Sequence, residues 1–282
     1  MLFPKLVHNC QKALPGRIIT DNIHTVQDLI NLINKNGDSA AILFYDQEKA
    51  FDRMSHKFII KTLRKFGFGD NFIDWVKILM NDIKSFVKVN GFETSEFDVN
   101  RGVRQGCALS ALLYVLVSEV LALEIRNNNW IKWYRYNGKH FKLSQYADDL
   151  MTVVTDDNSV NEIFKVLNRF ELATNAKINR SKTEALWVGG WRTRMDTPLN
   201  LKWKKDNVRF LGVYVGNITN RSEAVILSNL NFEEIEQKIT KKLSFWNGSG
   251  ISIKGKVRVV NMFVFSKIFY RLECVDIHVF FL

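Results

Sequence analysis

The tetrad Tyr146-Ala147-Asp148-Asp149 constrains this chain more than any other stretch. Residues 141–146 before it and 150–154 after it both read as strands, so two carboxylates sit at a tight turn between β-rich segments. Neighbouring residues on a straight strand face opposite sides, and a turn relaxes that rule enough for at least one acid to face a shared site. Asp is also common at solvated hairpin tips, which is the plain alternative. A third carboxylate changes the odds. Asp46 ends residues 40–45, an unbroken apolar run of the kind that forms a buried central strand. Helical spacing resumes soon after, through Phe51, Met54, Phe58, Ile59, Leu63 and Phe66. An acid at the carboxyl end of a buried strand is where open α/β sheets carry their chemistry. Burying it unpaired is costly, and bound divalent cations remove that cost.

Length and charge narrow the class further. With 282 residues, 46% hydrophobic and 24% charged, the chain suffices for one large domain or two small ones with a sizeable core. Its three cysteines, Cys10, Cys107 and Cys274, lie too far apart to suggest a disulfide framework or a metal-ligand pair. The net charge of +11 is uneven. Residues 1–176 carry 22 Lys and Arg against 20 Asp and Glu, whereas residues 177–282 carry 18 against 9. A basic last third points to a polyanionic partner, with nucleic acid ahead of a membrane surface. No secretory signal is visible and no run of 18 apolar residues occurs, which predicts an intracellular chain with no membrane span.

In chain order, Pro15-Gly16 marks a turn, and Thr20 or Asp21 is expected to cap a helix that ends near Gly37. Arg17, just before that helix, reads either as a surface charge or as a phosphate contact. A helix opens at Asp70-Asn71, and Asn90-Gly91 between β-rich runs predicts a hairpin. Residues 101–110 form a loop with Gly102 and Gly106 that leads into an apolar helix over 110–126. Its glycines allow close backbone approach to a ligand, and Gln105 can both donate and accept. Residues 157–159 should cap the next helix, and residues 209–215 read as one strand. An amphipathic helix is expected over 232–245. Lys238, Lys241, Lys242, Lys254, Lys256 and Arg258 there, interleaved with aromatics, suit either a solvated helix face or a grip on a phosphate backbone. The chain closes on an apolar stretch, residues 278–282, that reads as cut off.

Taken together and in order, residues 44–52, 104–110, 146–149, 177–183 and 210–212 resemble the reverse transcriptase of non-LTR, long-interspersed-element-type retrotransposons. Residues 11–17 with Asp21-Asn22-Ile23 resemble that family's second fingers motif, and residues 241–256 its thumb. The resemblance implies an α+β, right-hand polymerase with an antiparallel palm sheet, helices packed on one face, and a helical thumb. It implies partial fingers over 1–39, a palm over 40–216 and a thumb, expected to be truncated, over 217–282. By match to the family, Asp46, Asp148 and Asp149 are the metal acids, holding two Mg²⁺ (Mn²⁺ being the substitute) about 3.5–4 Å apart for nucleotidyl transfer from a dNTP to a primer 3′-hydroxyl. Lys182 is expected as the proton donor to pyrophosphate, with Lys177 behind it. Arg17, Gln47, Phe51, Gln105 and Gly106 line the nucleotide site, with Phe51 excluding a ribose 2′-hydroxyl. The implied partners are an RNA template and a DNA primer, bound in part by the basic last third. Ala108, Ala111 and Ala176 stand where the family has Pro, Pro and Gly, so strain is expected at Ala176 if that position takes a positive φ. The family's first fingers block is absent. A non-catalytic nucleic-acid-binding remnant is therefore the competing reading, with an RNA-directed RNA polymerase third.

Overall fold

The computed structural model describes residues 3–247 and 250–275, with the side chains of 3, 4 and 247 excepted. The apolar stretch at 278–282 lies outside the described residues. Helix α1 (Phe3–Leu6) is a single turn, and α2 (Thr20–Asn36) follows. Helix α2 ends where Gly37, at φ 70°, returns its N–H to the carbonyls of Ile33 and Asn34. Strand β1 (Ser39–Tyr45) is buried from Ala40 onward, as an unbroken apolar run requires. Then come α3 (Ala50–Arg53), α4 (His56–Lys65) and α5 (Asp70–Met80). Four short strands follow, β2 (Lys84–Ser85), β3 (Lys88–Val89), β4 (Phe92–Glu93) and β5 (Phe97–Asp98). Strands β3 and β4 form the expected hairpin, with Asn90 and Gly91 both at positive φ.

Helix α6 (Ala108–Asn127) leads to β6 (Tyr134–Tyr136), β7 (Lys139–Phe141), β8 (Leu143–Tyr146) and β9 (Asp149–Val154). Helix α7 (Asp157–Thr174), capped by Asp156 on the Ser159 N–H, precedes β10 (Glu184–Gly189) and β11 (Lys202–Lys204). Residues 209–215 are not one strand. Leu211 and Gly212 take φ of 49° and 80°, folding the segment into an antiparallel hairpin of β12 (Asn207–Phe210) and β13 (Val213–Gly216). The chain continues through α8 (Arg221–Asn247), α9 (Ile253–Val260), a π-helical turn at Asn261–Phe265 and α10 (Ser266–Cys274).

The chain divides into two compact units, each discontinuous in sequence. The first comprises Met1–Ile18, Ile42–Glu184 and Asp196–Lys202. Here the second half of β1 lies beside β9, and β9 pairs antiparallel with β8 from Leu143↔Thr152 to Tyr146↔Asp149. Helix α7 packs on β9 and on α6, and α4 packs on α5 and α6. Helix α6 is long and apolar enough to match a membrane span by length and composition. Leu113–Val117, Leu121, Ala122 and Ile125 are nevertheless buried against protein, so its apolar surface serves as core. The second unit comprises Ile19–Ala41, Ala185–Met195 and Trp203–Leu282. In it α2 packs on β13, and α10 packs on α2 and α8. Its centre is Trp187, stacked 3.7 Å from Trp203, with the Arg194 guanidinium 4.2 Å from the Trp187 ring.

Candidate active site

The site belongs to the first unit and starts at the carboxyl end of β1. Asp46 leaves the strand half-buried, and its carbonyl accepts from the Asn179 N–H at 2.7 Å. The Glu48 N–H donates to the Lys177 carbonyl at 2.8 Å, and Gln47 and Ile178 form an antiparallel bridge. Residues 46–48 are thus laced to 177–179. The Lys177 ammonium pairs with Glu48 at 2.9 Å, which holds that carboxyl below its ordinary range.

Asp148 and Asp149 sit at the β8–β9 turn. The register forces the reversal through Ala147, at φ 51°, and Asp148. Gln47, expected in the nucleotide pocket, is buried with its amide turned inward: Nε2 donates to the Asp148 carbonyl at 3.2 Å, and Oε1 accepts from the Tyr114 hydroxyl at 2.8 Å. The Phe51 ring stacks on Tyr114 with centroids 4.6 Å apart. Phe51, Tyr114, Gln47 and the acidic turn are therefore one connected set.

The three carboxylates share one electrostatic field. Partial burial, and then the charge of Asp46, raise the Asp148 carboxyl. Asp149 is open to solvent on one side, yet burial on the other and the charges of Asp148 and Asp46 push it up to about 6. Tyr114 is raised well above its ordinary value by burial and by Asp148 and Asp149. Among the described residues no ion pair to these acids is found, and no group of three acidic, His or Cys side chains stands close enough to hold a metal ion. Carboxylate oxygens without a cationic partner are donors of the kind that hard divalent cations take.

A second edge is the loop before α6. The Gly102 N–H donates to the Met54 carbonyl at 2.7 Å, the Val103 N–H to the Phe51 carbonyl at 2.8 Å, and His56 Nε2 bonds the Gly102 carbonyl at 2.8 Å. At Gly102 a Cβ would lie 2.7 Å from the Asp52 carbonyl oxygen, so only glycine permits this docking. The loop presents Gln105 and Gly106 to solvent beyond Phe51. Lys182 is exposed past the 177–179 crossing. Arg17 is engaged differently from a phosphate contact: its guanidinium donates to the carbonyls of Val7, His8 and Gln11 at 2.9, 2.8 and 2.5 Å. The strain expected at Ala176 is not found. Asn175 takes the left-handed turn at φ 63°, and the Ala176 N–H bonds the Thr174 hydroxyl.

In the second unit, Lys238, Lys241, Lys242 and Lys267 line a cavity of about 630 Å³ with Phe245, Trp246 and Phe263, and Lys242 lies 4.5 Å from the Phe263 ring centre. Lys238 also pairs with Glu234. Lys254, Lys256 and Arg258 are exposed on α9. Lys267, Tyr114 and Asn179 were not among the residues expected from sequence. Asn179 lies within the 177–183 block of the family resemblance and Lys267 is a charge within an aromatic-rich run, whereas Tyr114 sits in an apolar helix that gives no such signal.

The profile of the reverse transcriptase (RNA-dependent DNA polymerase) family matches residues 3–215. The chain belongs to the reverse transcriptase family. It is 33% identical over 277 residues to the transposon TX1 uncharacterized 149 kDa protein of Xenopus laevis, covering 96% of this chain and 21% of that protein. It is 34% identical over 177 residues to the Pol polyprotein from the type-2 retrotransposable element R2DM of Drosophila melanogaster, covering 63% of this chain and 16% of that protein. This reverse transcriptase chain thus spans about a fifth of the length of these relatives. Both relatives agree with the non-LTR retrotransposon resemblance of its motifs. Its fold is also that of telomerase from Candida albicans, solved with the TWJ fragment of telomeric RNA. The TM-score is 0.54 at 15% identity, over 76% of this chain and 35% of that one. The α+β, right-hand polymerase fold expected from sequence is the one observed.

Proposed function

We propose that this chain is the polymerase region of a non-LTR retrotransposon protein, an RNA-directed DNA polymerase that extends a primer 3′-hydroxyl with dNTPs on an RNA template. The observation that carries the reading is the placing of Asp46 at the end of β1 and of Asp148 and Asp149 at the β8–β9 turn, where burial, and then the charges of neighbouring acids, raise Asp148 and Asp149 and no cation of the described residues pairs with them. Asp46, Asp148 and Asp149 would hold Mg²⁺ or Mn²⁺, which, when bound, lowers the pKa of the primer hydroxyl and neutralises charge on the leaving pyrophosphate.

The rest of the work falls to the chain's own groups. The 3′-oxygen attacks the α-phosphorus as the bond to pyrophosphate breaks, so positioning dominates catalysis. Phe51, backed by Tyr114, forms the floor under the incoming sugar and leaves no room for a 2′-hydroxyl. Gln105 and Gly106 border the base and triphosphate, and Lys182 donates a proton toward pyrophosphate. Gln47 and Arg17 serve through the backbone they hold. Residues 1–39 are assigned to partial fingers, 40–216 to the palm and 217–282 to the thumb. The Lys238, Lys241, Lys242, Lys254, Lys256 and Arg258 group tracks the template–primer backbone, inside the cell.

Primer extension on an RNA template with Mg²⁺ tests this, comparing wild type with Asp148→Asn. Incorporation by wild type and none by the folded variant is expected, and full activity in the variant refutes the assignment. Salt-dependent binding with no incorporation by wild type under either metal assigns the non-catalytic reading instead. Phe51→Ala should admit ribonucleotides, and an unchanged preference removes the gate role.

A further inference from the structure

The strongest unassigned feature is a single amide beneath the acidic turn. Gln11 is fully buried in a segment that the sequence leaves without periodic pattern. Its main chain joins the edge of β8: the Gln145 N–H donates to the Cys10 carbonyl at 2.8 Å, and the Lys12 N–H donates to the Gln145 carbonyl at 2.8 Å. This parallel bridge aims the side chain at the turn.

All four hydrogen-bonding positions of that amide are filled. Oε1 accepts from the Ala147 N–H at 2.8 Å and from the Ala13 N–H at 3.0 Å. Nε2 donates to the Ala147 carbonyl at 3.2 Å and to Ser118 Oγ at 3.3 Å. The orientation is fixed chemically, because Ser118 already donates its own hydrogen to the Val115 carbonyl at 3.0 Å and can only accept from Gln11. Gln11 thus holds both polar backbone groups of one residue. That residue is Ala147, whose left-handed backbone is unfavourable for a side chain with a Cβ and precedes Asp148 and Asp149 directly. Arg17 in turn holds the Gln11 carbonyl at 2.5 Å.

We propose that Gln11 is a positioning residue for the acid pair: its amide clamps the Ala147 peptide in the left-handed conformation and so sets the direction of the Asp148 and Asp149 carboxylates. Gln47 Nε2 donates to the Asp148 carbonyl, so two amides hold consecutive residues of the turn. This inference rests on the polymerase reading for its consequence, and on hydrogen bonding alone for its geometry.

The test has an arm for each. Gln11→Met keeps length and volume and removes all four bonds. Hydrogen exchange on the metal-free protein is expected to show Ala147 losing protection in Gln11→Met, while Met151 and Val153 in β9 keep theirs. In primer extension, the variant's maximal incorporation rate should fall about 100-fold, the scale of a small misplacement of reacting groups, with the KM for dNTP within about threefold of wild type. Ala147→Gly, which accepts the left-handed turn without a clamp, should recover about tenfold of that rate in the Gln11→Met chain. A residue that merely stabilised the N-terminal segment would not be rescued by a change in the turn. Circular dichroism monitors folding. If Gln11→Met does not fold, the same measurements are made on Gln11→Asn, whose amide is one methylene too short to span the turn. Unchanged Ala147 exchange overturns the clamp, and so does a wild-type rate in the folded variant or the absence of rescue by Ala147→Gly. A wild type without any incorporation overturns the polymerase reading, while the exchange arm still decides the clamp.

Discussion

Gly102→Ala should destabilise the protein more than Gly106→Ala, although both glycines sit at φ 86° in the same loop. At Gly106 nothing lies within 4 Å of the position a Cβ would take. Alanine there meets only the left-handed backbone cost, about 1–2 kcal/mol, offset by about 0.4–1 kcal/mol from the lowered entropy of the unfolded chain. At Gly102 the added carbon would stand 2.7 Å from the Asp52 carbonyl oxygen, 2.8 Å from its Cα and 2.9 Å from its carbonyl carbon. Contacts of this kind are favourable at about 3.5–4.0 Å, and these atoms belong to α3 backbone, which cannot swing aside as a side chain does. The loop must move instead, at an additional cost of about 1–3 kcal/mol. Urea denaturation of the two variants therefore isolates the close approach, because the backbone penalty is common to both. A difference of about 1–3 kcal/mol is expected. Equal stabilities would refute the reasoning and show that the loop does not depend on its packing against Asp52. Because the Val103 N–H holds the Phe51 carbonyl, the same variant should also raise the KM for dNTP more than it lowers the maximal rate.

Asp149 gives a pH-dependent test. Its carboxyl is held near 6 in the folded chain against an ordinary 3.8. The folded state therefore keeps a proton that the unfolded state has released, and stability falls as pH rises from about 4 through 6 and stays lowered above that. Metal-free Asp149→Asn should melt at a higher temperature than wild type at pH 7.5 and at the same temperature below pH 4. A pH-independent difference would rule this out. Mg²⁺ should raise the melting temperature of wild type at pH 7.5 and leave Asp148→Asn unmoved, as differential scanning fluorimetry reads directly. In the second unit, Lys241→Ala with Lys242→Ala should weaken duplex binding and flatten the log–log salt dependence by about 0.9 for each phosphate left without its lysine. An unchanged slope in filter binding would place the duplex elsewhere. Glu119, fully buried, is paired with Arg126. Arg126→Met alone should cost about 3–5 kcal/mol in urea denaturation, whereas Arg126→Met with Glu119→Leu should recover most of it.

What the sequence reveals here follows from what periodicity can encode. Residues 40–45 announce a buried strand by being apolar throughout, and β1 is Ser39–Tyr45. The acid doublet announces a turn because strand-like runs flank it, and β8 and β9 close on it. Asn90-Gly91 announces its hairpin because both residues tolerate the positive φ that a tight two-residue turn demands. The failures are of another kind. Residues 209–215 look like one strand because their side chains suit a sheet, and nothing in composition signals that Leu211 will accept a positive φ beside Gly212. Asn175, rather than its neighbour, takes the left-handed turn after α7, since Asn tolerates that conformation and frees Ala176 from it. Arg17 taken alone reads as a surface charge or a phosphate contact, and Gln47 enters the nucleotide site only by the family resemblance, because a guanidinium and an amide advertise hydrogen bonds without naming the partner.

The same limit explains Gln11. Its partner Ala147 is 136 residues away, and the hydrogen bonds go to backbone, so no pairing of side-chain types records them. They exist only because Gln11 meets Gln145 in register on the edge of β8. A one-residue slip of that bridge would present Lys12 or Cys10 to the turn instead, and neither can both donate to and accept from a single peptide as an amide does. The catalytic reading of the acids therefore depends on the register of a segment far upstream, and a chain with intact acids but a shifted residue 11 should fold and bind nucleic acid yet extend a primer about 100-fold more slowly. Insertion of one alanine between Leu14 and Pro15 leaves residues 10–12 in sequence with one another but breaks the Arg17 hold on the Gln11 carbonyl. It should lower the incorporation rate in the same direction as Gln11→Met while leaving the melting temperature within a few degrees. A variant with full rate would mean that the bridge to Gln145 alone keeps the clamp in register.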